Sequence, residues 1–213
     1  MKKQVIKSIS DVVMPLFVYL LSYRLIFLAV KCVLPAMPAT LSMGISAAGT
    51  LFILYPFYKD TDIRFSEIGY KASIDKKSLI IMIIIIVSLS CIALNFLMSG
   101  FIDSDRAYKA AEVSLSSGNI IVRIISEGIV IPALEETLFR GIIMRRIIIN
   151  NGKAAALFIP ALLFGAVHMN MVQFVYASLS GILIGLTMML TGRLYAVYFE
   201  HVIINMTVLF IGI

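Results

Sequence analysis

Leu134-Glu135-Glu136-Thr137-Leu138-Phe139-Arg140 places two adjacent carboxylates and a guanidinium inside a stretch otherwise built for lipid. A charge near a bilayer centre costs roughly 2.5–3.5 kcal/mol on insertion scales. Three such groups so close together need a partner, a water-filled cavity or a chemical purpose. His168 and His201, the only two histidines in the chain, also lie in apolar segments, so the same question applies to them.

Outward from that stretch, the 213 residues are 61% hydrophobic and 14% charged, with mean hydropathy +1.01. A soluble domain of this length usually has about 45–50% apolar and about 25% charged residues. The excess is concentrated in long runs, such as the charge-free Ser78–Met98. These features predict an all-α polytopic transmembrane helical bundle of about seven spans. The formal net charge of +6 does not point to nucleic acid. The basic residues flank apolar segments (Lys2, Lys3, Lys7; Lys76, Lys77; Arg145, Arg146) and no aromatic residues interleave with them, so topology and anionic lipid account for them. Cys32 and Cys91 have no metal-type spacing and read as buried free thiols.

The segments expected are Val12–Leu34, an uncleaved first span; Ala39–Tyr58, rich in Ser, Gly and Ala; and Ser78–Met98. A fourth runs from near Asn119 to Ile149, ~45 Å at 1.5 Å per residue and kinked at Pro132. Ala154–His168, Met171–Leu190 and Leu194 onward complete the set, with Asn150-Asn151-Gly152 a clear stop. Lys59–Lys77 and Gly100–Gly118 are polar loops. Placing the N-terminus, Lys59–Lys77, Arg145–Lys153 and Arg193 in the cytoplasm puts every strongly basic cluster inside, as in an integral protein of a bacterial plasma membrane. Residues 1–118 form an N-terminal set of segments and 119–213 a catalytic core, within one structural domain.

Helical geometry divides the polar groups. Glu135 and Glu136 point about 100° apart and cannot share one role. Glu136 and Arg140 are i,i+4 and can pair; Glu127 and Arg123 are a second such pair, read as structural. Phe164 and His168 share one face, as do His201 and Asn205. An antiparallel hairpin about Asn150–Gly152 would carry Glu135 and His168 to matching depths, roughly 22–24 Å from its tip. Glu200 neighbours His201 but points elsewhere, with an ion pair expected. The Gly181–Gly185 spacing reads as close helix packing.

No serine or cysteine lies in register with a base, which disfavours covalent acyl transfer. A glutamate in an apolar cavity is a competent general base for water, with a histidine helping to hold that water. A second histidine and an asparagine amide can donate to a tetrahedral oxyanion. This is a hydrolase constellation, best matched to a peptide bond. A zinc site of Glu135, His168 and His201 is the other possibility. The chain lacks the His-Glu-x-x-His helix of common zinc peptidases, so metal does not follow from spacing.

In order and on separate segments, Glu135-Glu136 to Arg140, Phe164 to His168 and His201 to Asn205 resemble the Glu-Glu-x-x-x-Arg, Phe-x-x-x-His and His-x-x-x-Asn motifs of the CPBP intramembrane protease family. That family includes CAAX proteases and bacteriocin-processing and immunity proteins. The resemblance covers about Ser126–Met206; the first hundred residues carry no family-specific signal. It implies an endopeptidase acting on a peptide or membrane-anchored protein. Glu135 and His168 would activate water, His201 and Asn205 would form the oxyanion hole, and Glu136, Arg140 and Phe164 would shape the site. Family members are described both as metalloproteases and as metal-independent glutamate proteases. The second is expected here, because it accounts for Asn205 and needs no metal. Peptide maturation and bacteriocin self-immunity are the associated roles. A catalytically silent immunity or scaffold protein is the alternative, and a proton-coupled transporter is disfavoured by the lack of an internal repeat.

Overall fold

The computed structural model describes residues 2–104 and 119–211. The expected loop Gly100–Gly118 therefore falls largely outside the described residues. Seven helices make up those described: α1 (Lys2–Val33), α2 (Ala39–Glu67), α3 (Lys77–Ser104), α4 (120–151), α5 (Lys153–Ala166), α6 (Met171–Thr191) and α7 (Leu194–Ile211). In α1, α2, α3, α6 and α7, an apolar stretch is long enough to cross a membrane. This is a polytopic helical bundle. The 14 residues of α5 span only ~21 Å, less than the ~30 Å hydrocarbon core.

One expected boundary moves, and one expected burial is corrected. α2 continues past Tyr58 to Glu67, because the charges expected in a loop pair with one another and with neighbouring helices. Arg64 reaches Asp60 one turn back at 3.6 Å and Asp11 on α1 at 3.3 Å. Arg146 of α4 lies among them, bonding Thr61 Oγ1 at 2.7 Å and Asp60 at 3.3 Å. Arg145 meets Asp62 at 2.5 Å. Arg145 and Arg146, read as topological markers, are buried and tie α4 to α1 and α2. The second correction concerns Cys32, which is exposed on α1, whereas Cys91 is buried.

The helix α4 runs on through Pro132, and its irregularity there is π-helical. Ile124–Val130 and Thr137–Met144 are π-helical and flank the six-residue α segment Ile131–Glu136. Proline cannot donate to the carbonyl behind it and its ring collides there. A wider turn relieves that collision. In the wider register Ile131 N–H bonds Ser126 O, and Pro132 has no N–H to offer Glu127 O.

Small residues set the close approaches. The buried residues in the first half of α2 are Thr40, Ser42, Gly44, Ser46, Ala47 and Thr50. Gly181 on α6 lies against Ala161 of α5, whose Cα would be 3.1 Å from an added Cβ. One core runs through α1 to α7, with Tyr19, Leu54, Cys91, Phe139, Phe164, Ile184 and Ile204 among its members.

Candidate active site

Glu135, Glu136 and Arg140 come from α4, which α5, α7, α1 and α2 enclose. Glu136 and Arg140 are each 1% exposed, so neither charge could stand there alone. They pair at 2.8 Å, Nη1 to Oε1. The other end of the guanidinium donates to Gly181 O of α6 at 3.0 Å and lies 5.0 Å from the Phe164 ring centre. The Glu136–Arg140 pair read from i,i+4 spacing is thus present, and α6 and Phe164 complete the guanidinium's surroundings.

His201 enters from α7. Its Nδ1 lies 2.7 Å from Glu136 Oε1 and its Nε2 lies 3.6 Å from Glu135 Oε2. Spacing alone left Glu136 to Arg140 and turned Glu135 toward both histidines. In the structure the two glutamates share His201: Glu136 binds one ring nitrogen, and Glu135 faces the other. A carboxylate already holding a guanidinium only accepts, so Nδ1 carries a proton and donates. In the neutral ring Nε2 is then an acceptor.

His168 lies just beyond the end of α5. Val167 and His168 send their main-chain N–H groups to Leu163 and Gly165, which leaves Phe164 O for the imidazole. Nδ1 of His168 lies 2.8 Å from that oxygen. A carbonyl only accepts, so Nδ1 donates and Nε2 is again the free acceptor. The Phe164 ring meets both imidazoles edge-on, with centroids 5.1 Å from His168 and 5.8 Å from His201. His168 and His201 both lie close enough to Glu135 to interact with it electrostatically.

Asn205, one turn beyond His201, donates through Nδ2 to Glu127 O at 2.9 Å. This is the carbonyl that Pro132 leaves without a main-chain donor. Arg123 and Glu127 pair at 3.4 Å. Glu200 forms no ion pair among the described residues. Fully buried, it accepts from Thr187 Oγ1 of α6 at 2.7 Å. The helix register puts Glu200 toward α6 when His201 faces α4, and the cation that interacts with it, Arg140, is already held by Glu136.

A cavity of about 500 Å³ opens between α2, α4 and the start of α7, lined by Tyr58, Glu136, Thr137, Arg145, Arg193 and Tyr198 among others. It leads from the end of the bundle that carries Arg145 and Arg193 to Glu136. Arg193 of its lining pairs with Asp75 at 2.6 Å, and Tyr70 donates to Met189 O at 2.6 Å. Burial raises the Tyr70 phenol's pKa above its ordinary value, which preserves it as a donor. No motif marked these loop residues, because their partners lie more than a hundred positions away.

No curated protein and no solved structure matches the chain. Residues 117–207 match the family model described as Type II CAAX prenyl endopeptidase Rce1-like. The match takes in Glu135-Glu136, Arg140, Phe164, His168, His201 and Asn205, on three helices that meet around one buried ion pair. That segment of the chain is similar to the CAAX prenyl endopeptidase family.

Proposed function

We propose that this protein is an intramembrane endopeptidase in which Glu135 is the general base. The carrying observation is the asymmetry of the two adjacent glutamates around His201. Glu136, 1% exposed, has its Oε1 held by both Arg140 and His201. Glu135 keeps some exposure, with its side chain 12% accessible, and faces His201 Nε2 at 3.6 Å. Glu135 and His168 Nε2 are both acceptors, so one water can donate one O–H to each and turn a lone pair toward a carbonyl carbon. Glu135 takes a proton as the water attacks and returns it to the departing amine. His201, which takes a proton from solvent at Nε2 before the water attacks and keeps it through the cycle, donates to the oxyanion, with Glu136 stabilising the imidazolium. The second N–H of Asn205 lies one turn away on the same face.

Zinc is the alternative for this site. Both imidazoles present a free Nε2 with Nδ1 anchored, an arrangement that suits metal ligation. However, among the described residues no three His, Cys, Asp or Glu side chains lie close enough together to hold a metal ion. No step above uses a metal.

The substrate class proposed is a peptide or membrane-anchored protein. Peptide maturation or self-immunity against a bacteriocin would be the corresponding cellular role. The matched family's name refers to prenylated substrates.

The test is cleavage of a peptide library by the full chain in proteoliposomes. Glu135→Gln and His168→Ala should each lose at least about 10²-fold in kcat while remaining folded. Full activity in either would sink the mechanism. Activity persisting after exhaustive chelation separates the glutamate mechanism from the zinc one. A catalytically silent scaffold would instead tolerate Glu135→Gln in every phenotype.

A further inference from the structure

Stabilising an oxyanion needs uncommitted hydrogen-bond donors, and most donors around Glu135 are committed. Arg140 serves Glu136 and Gly181 O. Nδ1 of His168 and Nδ1 of His201 are engaged with Phe164 O and Glu136, and their Nε2 atoms are acceptors in the neutral rings. Asn205 gives one N–H to Glu127 O.

Two further side chains reach this region from α1, outside the segment that matches the family model. Tyr19 and Tyr23 are i,i+4 and share one face of α1. Asp11 of α1 meets Arg146 and Asn150 of α4, which fixes the relative depth of the two helices. Counted inward from Asp11, Tyr19 lies at ~12 Å and Tyr23 at ~18 Å; Glu135 lies ~16 Å inward from Arg146, between them. A chain of ring contacts joins them laterally. Tyr23 to Tyr19 is 6.1 Å, Tyr19 to Phe139 is 6.4 Å and Phe139 to Phe164 is 5.2 Å, centroid to centroid. Phe164 in turn touches both histidines. Both phenols interact electrostatically with Glu135. Among the described residues, neither hydroxyl is engaged in a hydrogen bond and neither oxygen is fully enclosed. A phenol in an apolar setting usually finds a partner.

We propose that the hydroxyls of Tyr19 and Tyr23 are catalytic donors. They contact the scissile carbonyl of the peptide and take up the charge that develops on its oxygen. The inference rests on the peptidase reading above and assigns α1 a part in it. Losing one oxyanion donor costs roughly 10²–10³-fold in kcat where this has been measured.

The test uses the full chain in proteoliposomes with a peptidyl chloromethyl ketone, benzyloxycarbonyl-Phe-chloromethyl ketone. Its carbonyl takes the place of the scissile one. A histidine Nε2 attacks the adjacent methylene, forming an N–C bond as chloride leaves and a proton passes to solvent. Mass spectrometry then reads the rate of alkylation at His168 and His201. Tyr19→Phe, Tyr23→Phe and the double variant keep the rings and should keep the wild-type melting temperature. The double variant should alkylate at least tenfold more slowly and, with a cleaved peptide, lose kcat rather than raise KM. The single variants carry the test if the double variant fails to fold. Alkylation at the wild-type rate in the Phe variants, or no histidine alkylation in the wild type, would overturn the proposal. Alkylation does not need Glu135. If Glu135→Gln still cleaves peptides, the peptidase mechanism fails while the alkylation rates still judge the phenols.

Discussion

Asn205 and Pro132 form a pair whose coupling can be measured. In the π-helical register of α4, Ile131 N–H is committed to Ser126 O, and Pro132, having no N–H, leaves Glu127 O to the Asn205 amide at 2.9 Å. Asn205→Ala removes that donor, and a carbonyl stranded away from water costs about 1–3 kcal/mol. Asn205→Asp should cost at least as much, since an ionised carboxylate has no hydrogen to give. At about 2–4 °C per kcal/mol for a chain of this size, the melting temperature should fall by roughly 3–10 °C. Pro132→Ala restores a main-chain N–H. It can satisfy Glu127 O directly, or let the helix tighten so that Ile131 N–H returns to that oxygen. Pro132→Ala should therefore be near neutral alone and regain about 1–2 kcal/mol in the Asn205→Ala background. The assay is a double-mutant cycle of thermal unfolding in detergent, with peptide cleavage followed in the same four proteins. Strict additivity of the melting shifts would refute the account of Asn205 as the donor that Pro132 lacks. The cleavage arm separates two roles. Activity that returns together with stability makes Asn205 a positioning residue only. Stability that returns without activity means that its second N–H acts on the oxyanion.

Arg140→Met leaves Glu136 buried without its cation, and breaking such a pair costs about 3–5 kcal/mol. A fall of roughly 10 °C in the melting temperature is expected, with much of it recovered in Glu136→Gln/Arg140→Met; a shift within 2 °C for the single variant would deny the pair its structural role. Gly165→Ala puts a methyl carbon 2.6 Å from the main-chain oxygen of Phe174, which side-chain rotation cannot relieve. It should cost about 1–3 kcal/mol by separating α5 from α6, and an unchanged denaturation midpoint would show that these helices are not held that close. Because α5 carries Phe164 and His168, cleavage in Gly165→Ala should fall further than stability does.

How much of this was legible in the sequence depended on whether the partners were local. Long apolar runs declare themselves residue by residue, so the helical bundle was legible from composition and length alone. The Glu136–Arg140 pair was legible because its geometry is one helical turn. The bond from Glu136 to His201 was not, since i,i+4 arithmetic gives Glu136 one partner and says nothing of a helix 65 positions away. Distance likewise hid the network around Arg146, where Asp11, Asp60 and Thr61 arrive from two other helices. Those same charges looked like a loop after Tyr58, because a chain of polar residues reads as solvated until its neighbours are known. The π segments were hidden for a different reason. They carry no distinct residue pattern, and Pro132 announces a disturbance of the helix without saying which kind.

The polar side chains of this site also serve as backbone caps, which bears on how a hydrolytic centre can be built in lipid at all. In a bilayer every main-chain carbonyl must find a donor inside the protein. Irregular backbone, which a site needs in order to aim side chains, creates carbonyls without one. Here two of these irregularities are each met by a residue of the site. The short helix α5 ends within the bundle, and the His168 ring takes the carbonyl of Phe164 in its last turn. The wide turn before Pro132 frees the carbonyl of Glu127, and Asn205 takes it. The backbone defect thereby fixes the ring orientation of His168 and the rotamer of Asn205, so the cost of the irregularity and the positioning of the side chain are met by one bond. His168→Ala and Asn205→Ala should accordingly lower stability as well as cleavage. Glu135, which makes no hydrogen bond among the described residues, should differ from both. Glu135→Gln should leave the melting temperature within about 2 °C of wild type while abolishing cleavage; a loss of stability matching that of the capping residues would mean that Glu135, too, is held for structure.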